Sequence, residues 1–183
     1  CDRRQRQMCI RDSNQALFGA WGSNGGEIYT RFGDAPIEGN RLQIKTQGTQ
    51  MNSKMLFDAK KWYHIAFVCT GTKLYLYVNG VLDNSMSLPG NATNIASPIN
   101  FGNTDYLRAD VKVSELRFWT KARTQAQVLN NMYACDPKSD GLEAYWKLNE
   151  GQGDIFADAT GHGNTGKCVA VPDWEQNVRI DGK

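Results

Sequence analysis

The sequence reads as an all-β protein, an antiparallel β-sandwich or jelly roll with one short helix. Three observations point there. Apolar residues recur with period two in many short segments, such as KLYLYV at residues 73–78. Turn signals rich in Gly and Asn separate those segments, as Ser23-Asn24-Gly25-Gly26 and Asn79-Gly80 do. A helical stripe behind a capping signature occurs at one place, after Thr124.

Residues 1–12 show no strand or helix period. They hold Arg3, Arg4, Arg6 and Arg11 against Asp2 and Asp12, which accounts for the whole formal charge of +2. The stretch CDRRQRQMCIRDS resembles translated adaptor sequence of the kind that contaminates assembled reads, in which case a natural opening strand is lost. The alternative is a genuine basic tail. Residues 1–15 are therefore expected to be a tail, 16–172 a domain and 173–183 a second tail. The chain beyond residue 12 is neutral by the same count, so no basic face for nucleic acid is expected. No apolar run approaches the roughly 20 residues that a membrane-spanning helix needs.

ALFGAW (16–21) and EIYTRF (27–32) flank Ser23-Asn24-Gly25-Gly26 and predict a hairpin. RLQIKTQ (41–47) alternates Leu42 and Ile44 with polar residues, which predicts a strand with one wet side. WYHIAFVC (62–69), KLYLYV and the arm after Asn79-Gly80 predict a three-stranded meander over residues 62–86. Asn-Gly supplies two residues able to adopt positive φ, as a type I′ turn requires, and it sets the pairs Val78 with Val81 and Tyr77 with Leu82. Both faces of this meander are largely apolar.

PINFGN (98–103) is a further short strand. VKVSELRFW (111–119) changes phase between Val113 and Leu116, which predicts a bulge near Ser114. Thr124 and Gln127 form a T-x-x-Q capping box, and Val128, Leu129, Met132 and Tyr133 form the apolar stripe of a helix that Asp136-Pro137 stops. GLEAYWKLNEGQG (141–153) places Leu142, Ala144, Trp146 and Leu148 on one face of a strand, and the turn-rich DATGHGNTGK (158–167) follows it.

Three of these segments, in order, resemble the laminin-G-like, concanavalin A-like jelly-roll family. WYHIAFVCTGTKLYLYVNGVL is similar to its W-x-H-I-A … L-x-L-Y-V-N-G signature. VKVSELRFWTKARTQAQVL is similar to its strand-then-helix segment. GLEAYWKLNEGQGDIFADATGHGNTGK is similar to its G-L-x-A-Y-W … D-x-T-G-N-G-N-x-G run. The likeness covers roughly residues 16–171. The third run also begins a following domain in some relatives, which leaves residues 142–183 open between the two readings.

The resemblance implies a non-catalytic extracellular or cell-surface module that binds glycan or polysaccharide. A structural or protein-binding adhesion module is the alternative. Glycoside hydrolases on this type of sandwich share a strand with E-x-D-x-x-E, which sets the two carboxylates on one face. The sequence contains no such triplet, and Glu143, Glu150 and Asp154 are scattered. Neither His64, inside a strand pattern, nor His162, between glycines, has a nucleophile beside it in sequence. No enzyme activity is expected.

Sugar binding calls for an aromatic face beside amide, carboxylate or guanidinium groups. The candidates are Tyr106 with Asp105 and Arg108, Trp21 beside Ser23 and Asn24, and Tyr29 beside Arg31. Trp62, Trp119 and Trp146 continue apolar stripes and are expected in the core, and Trp174 is expected to cover an edge. Family members often hold a structural Ca2+. Asp158, with Asn164 in the turn behind it, offers hard oxygens for one; the competing reading is an Asx-turn at Asp158. Cys135 and Cys168 could pair and close a loop of roughly 30 residues, worth about 3–4 kcal/mol if unstrained. Cys69 reads as a small buried hydrophobe.

Overall fold

The computed structural model of the chain describes residues 15–20, 28–34, 37–58, 61–90, 99–101, 103–104, 107–108, 111–168 and 172–175. The N-terminal tail expected over residues 1–15 lies outside them except for Gln15. The chain divides into two compact units, Cys1–Lys112 and Val113–Lys183.

In the first unit β1 (Gln15–Ala20), β2 (Ile28–Asp34), β3 (Ile37–Thr46) and β4 (Thr49–Asn52) join β8 (Asn100–Phe101) in a five-stranded sheet of order β4-β3-β2-β1-β8. β5 (Ile65–Thr70), β6 (Lys73–Val78) and β7 (Val81–Ser87) form the expected meander. β9 (Asn103–Thr104) and β10 (Leu107–Arg108) make a small hairpin. All pairings are antiparallel.

The two larger sheets share one core. Leu74, Leu76 and Val78 of β6 cluster with Phe32, Leu42, Ile44 and Met51 of the five-stranded sheet, together with Phe57 and Leu88. Each such side chain contributes roughly 1.5–3 kcal/mol through burial. Phe18 meets Phe67 edge-on at 5.6 Å, and Phe32, Phe57 and Tyr63 form an edge-to-face chain at 5.2 and 4.8 Å. The opposite side of β6 is also covered, since Tyr77 is buried and so is Val68, the β5 partner of Tyr75.

The hairpin turn adopts the backbone its residues predict: φ is 49° at Asn79 and 76° at Gly80, and Val78 pairs with Val81 and Tyr77 with Leu82. The Asn79 side chain extends the pairing, accepting from His64 N at 2.9 Å while Asn79 N donates to His64 O at 2.8 Å. A register shift between Leu76 and Tyr77 leaves Asp83 outside the ladder. Its freed carboxylate accepts from Lys54 N at 2.7 Å and Met55 N at 2.8 Å. Asn84 Nδ2 donates to Asn52 O at 2.8 Å. These two side chains lace β7 to the end of β4 and close one seam of the sandwich.

In the second unit β11 (Leu116–Trp119) pairs with β12 (Leu142–Trp146), and β13 (Ile155–Phe156) with β14 (Gly166–Lys167). No bulge sits near Ser114; the phase change is made by Glu115, which takes a left-handed φ of 58° just before the strand begins. Helix α1 (Gln125–Asn130) carries the expected capping box, with Gln127 N donating to Thr124 Oγ1 at 3.3 Å and Thr124 N to Gln127 Oε1 at 2.9 Å. The helix is shorter than its apolar stripe. Asn131 turns its backbone N–H and its Nδ2 onto Gln127 O at 3.2 and 2.9 Å and ends the helix there. Val128 is buried, whereas Leu129 and Tyr133 are each 48% exposed.

Candidate functional site

Register places two polar rungs on the outer face of the five-stranded sheet. One runs Asn100, Gly19, Tyr29, Lys45, Gln50 across β8, β1, β2, β3 and β4. The next runs Ala16, Arg31, Gln43, Asn52. The side chains between them, Thr30, Phe32, Leu42 and Ile44, point to the other face and are buried there. Arg31 Nε donates to Gln43 Oε1 at 2.8 Å, and Gln43 Nε2 to Asn52 Oδ1 at 3.1 Å. Gln43 is only 1% exposed, so the wet side expected for this strand is dry at its centre, and its amide is fixed from both ends. The Arg31 guanidinium lies 5.7 Å and the Lys45 ammonium 5.8 Å from the centroid of the Tyr29 ring.

Tyr29 is thus a half-buried aromatic on a polar sheet face. It sits opposite Gly19, which places no side chain between it and Asn100. Arg108 lies on β10, paired with Asn103, and this hairpin lies beside β1. Trp21, Asp105 and Tyr106 lie outside the described residues. In the chain Trp21 follows Ala20, and Asp105 and Tyr106 fall between β9 and β10. Sequence reasoning missed Lys45, Gln43, Gln50, Asn52 and Asn100. The polar alternation of RLQIKTQ was the available signal for the first two, and it says nothing of which strands lie beside them.

In the second unit Asp158 is a hydrogen-bond hub. Its Oδ1 accepts from Tyr145 N at 3.0 Å, Thr160 N at 3.0 Å and Thr160 Oγ1 at 2.7 Å. Its Oδ2 accepts from Asn164 N at 3.2 Å and Asn164 Nδ2 at 3.3 Å. Burial alone would raise its pKa, but the bonds from Thr160, Tyr145 and Asn164 outweigh that and hold it at about 2. Ala159 N donates to Tyr145 O at 2.7 Å, and His162 Nδ1 and Asn164 Nδ2 each reach Glu143 O at 3.0 Å. Trp146 Nε1 donates to Asn164 O at 2.5 Å. The loop serves as the partner for the edge of β12 that faces away from β11, which leaves that edge no open ladder.

This geometry does not suit the calcium expected at Asp158 and Asn164. Five N–H and O–H donors take up the carboxylate, and Asn164 turns its amide nitrogen rather than its oxygen toward it. A cation there would face donors. Among the described residues no group of three or more His, Cys, Asp or Glu side chains converges.

The bond expected between Cys135 and Cys168 is not made, and both residues are free thiols. They lie in different surroundings: Cys135 senses Arg117, Glu115 and Arg123, and Cys168 senses Asp154 and Glu150. Burial pushes both thiols up, and Cys69, also free, likewise.

A second buried network braces β11 against β12. Tyr145, 1% exposed, donates its hydroxyl to Glu115 Oε2, which also pairs with Arg117 Nη2. Arg117 Nη1 donates to Asn131 O at 2.5 Å, and its guanidinium lies 4.8 Å from the Tyr145 ring centroid. Burial and the bond to Glu115 push the Tyr145 phenol up to about 12. Trp146 packs edge-on to Phe118 and Phe156 at 5.8 and 6.1 Å, as its apolar stripe predicts. Trp174 Nε1 donates to Gly153 O at 2.8 Å.

Two facing antiparallel sheets around one core form a β-sandwich. The chain belongs to the concanavalin A-like lectin/glucanase superfamily: the Laminin_G_3 family model, so described, matches residues 9–129. No curated protein matches the chain. It is similar to the 1.50 Å crystal structure of "a putative carbohydrate binding protein" from Bacteroides ovatus ATCC 8483, with 24% identity and a TM-score of 0.76 over 97% of this chain. The chain spans about half, 54%, of that protein's length. This likeness supports the fold. Among the described residues no helix is long and apolar enough to cross a membrane.

Proposed function

We propose that the chain is a non-catalytic recognition module that binds carbohydrate, working outside the cell as part of a larger secreted or surface protein. The observation that carries this reading is Tyr29. Its ring stands on the outer face of the five-stranded sheet among Lys45, Arg31 and a fixed amide row, Gln43 and Asn52. An aromatic ring stacks on sugar C–H groups, and amides in fixed positions read hydroxyls. The family and the name of the Bacteroides ovatus neighbour support the same reading. The absence of E-x-D-x-x-E from the sequence supports binding over cleavage.

A glycan array read with Tyr29→Ala and Tyr106→Ala tests it. Loss of signal in either variant, with an unchanged melting curve, supports a sugar site around β1. No glycan signal from the parent chain sinks the reading. A second reading, a protein-binding adhesion module, is favoured by Met55, Leu56, Val81 and Leu82. These apolar side chains are exposed, and Asp83 holds the Met55 loop against β7, which carries Val81 and Leu82.

A further inference from the structure

We propose that Asn79 is a site of covalent modification, deamidation to isoaspartate, and that its bonds to His64 gate the reaction. The inference concerns the meander's hairpin turn and is independent of the carbohydrate reading. Of the chain's asparagines only Asn24 and Asn79 precede glycine, and Asn24 lies outside the described residues. Glycine matters there because the attacking atom is the backbone nitrogen of the next residue, and a Cβ on that residue would crowd its approach. Asn79 is exposed between β6 and β7, so water reaches the product. The step balances without oxidant or reductant. Gly80 N attacks Asn79 Cγ and forms a C–N bond. The Cγ–Nδ2 bond breaks, and ammonia leaves with the proton that Gly80 N gives up. The succinimide then takes up one water. Opening at Cγ gives aspartate. Opening at the Asn79 carbonyl carbon gives isoaspartate, whose main chain runs through Cβ and Cγ.

The folded turn restrains this reaction. Asn79 Oδ1 accepts from His64 N at 2.9 Å, and Asn79 N donates to His64 O at 2.8 Å. Side chain and main chain of Asn79 are therefore both tied to the residue that precedes β5. The left-handed φ of 49° and 76° at Asn79 and Gly80, with Val78 paired to Val81, fixes the peptide plane between them. Ring closure needs Cγ to leave His64 N and turn onto Gly80 N, so it proceeds from a locally opened turn. Where opening and closing are fast, the rate scales with the open fraction. Two hydrogen bonds of ordinary net strength lower that fraction about 30-fold.

The two products have different consequences. Aspartate keeps an acceptor oxygen where Oδ1 stands, so the bond from His64 N survives. Isoaspartate lengthens a two-residue turn by one methylene and moves the free carboxylate onto Cα, out of reach of His64 N. The turn then no longer matches the pairing of Val78 with Val81. β6, which that turn ends, supplies Leu74, Leu76 and Val78 to the shared core. Isoaspartate thus unlatches the strand at the centre of the meander, and because ammonia has left, the change is one-way.

The test incubates the full chain at mildly alkaline pH, in buffer and in guanidinium chloride, and follows Asn24 and Asn79 by peptide mass mapping. In denaturant the two asparagines are expected to convert at like rates. In buffer Asn79 is expected to convert about 30-fold more slowly than it does in denaturant. As denaturant is raised below the unfolding transition, hydrogen exchange at His64 N and conversion of Asn79 are expected to accelerate together. Asn79→Asp, which is the aspartate product, is expected to melt with the parent chain. The isoaspartate form, separated by chromatography, is expected to melt lower. An Asn79 that stays intact in denaturant while Asn24 converts overturns the site. Equal Asn79 rates in buffer and denaturant overturn the gate, as does faster conversion with unmoved exchange at His64 N. An isoaspartate form that melts with the parent, or no higher than Asn79→Asp because both are lowered equally, overturns the unlatching.

Discussion

Replacing Asp158 with Asn removes the charge at the centre of the loop that covers β12. In the folded protein the carboxyl has its pKa lowered from 3.8 to about 2. Such a depression is worth about 2 kcal/mol, reduced to between about 1 and 2 because the group is partly exposed. The amide also turns an N–H2 toward donors, stranding at least one of Tyr145 N, Thr160 N and Asn164 N at a cost of about 1–3 kcal/mol. The expected loss for Asp158→Asn is therefore about 2–5 kcal/mol at pH 7, or a midpoint lower by roughly 4–20 °C for a chain of this size. The sign with pH follows from the depressed pKa. The carboxylate's contribution is present above about pH 5 and fades as pH falls toward 2, because the unfolded chain takes up the proton first. Thermal melts of parent and variant across pH 2–7 should show the gap narrowing over that window. Coincident melts at pH 7, or a gap that stays constant down to pH 2, would refute the hub.

The same melts with EDTA should give an unchanged midpoint for the parent chain, since Asp158 is satisfied by protein donors; a drop of several degrees would restore a metal to the account. Tyr145→Phe removes the hydroxyl bond to Glu115 and should cost about 1–2 kcal/mol in urea unfolding near pH 8. Because its folded pKa is raised to about 12, the parent's advantage over Tyr145→Phe should be intact below about pH 10 and disappear as pH rises through 12. An early tyrosinate signal from Tyr145 would contradict this. Gly166→Ala places a Cβ 1.8 Å from Phe156 Cε2, so the ring or β14 must move. The expected cost is about 1–3 kcal/mol, read as a lower urea midpoint, and a neutral substitution would mean that β14 is not held against Phe156.

Local chemistry was legible where it was self-contained. Asn79-Gly80 dictated the turn and its register, and Thr124 with Gln127 dictated the helix start, because each needs only residues within a few positions. The end of the helix was not legible in the same way. The stripe ran on through Met132 and Tyr133, but Asn131 caps the helix with its own side chain and Arg117, fourteen positions upstream, takes its carbonyl. The phase change in VKVSELRFW announced an irregularity, and the left-handed backbone fell on Glu115, whose carboxylate binds Tyr145 and Arg117. β4, β9, β10, β13 and β14 carry too few residues for an alternation to stand out.

The candidate site shows the same divide. Tyr29 could be chosen from its neighbours in sequence. Its company on the sheet, Lys45, Gln50 and Asn100, comes from three other strands whose alignment is a matter of register. Asp158 likewise offered two outcomes on sequence grounds, a metal ligand or an Asx-turn, and the choice depended on Tyr145 and Asn164 presenting donors.

The order of apolar and polar residues along this chain was enough to settle a sandwich, because period two leaves a strand only one way to hide its apolar side. Which polar groups meet across strands, which thiols stay apart and which carboxylate is already satisfied were settled by folding. Those outcomes depend on strand alignment and on the donors that distant loops bring, and neither is written in the spacing of neighbouring residues.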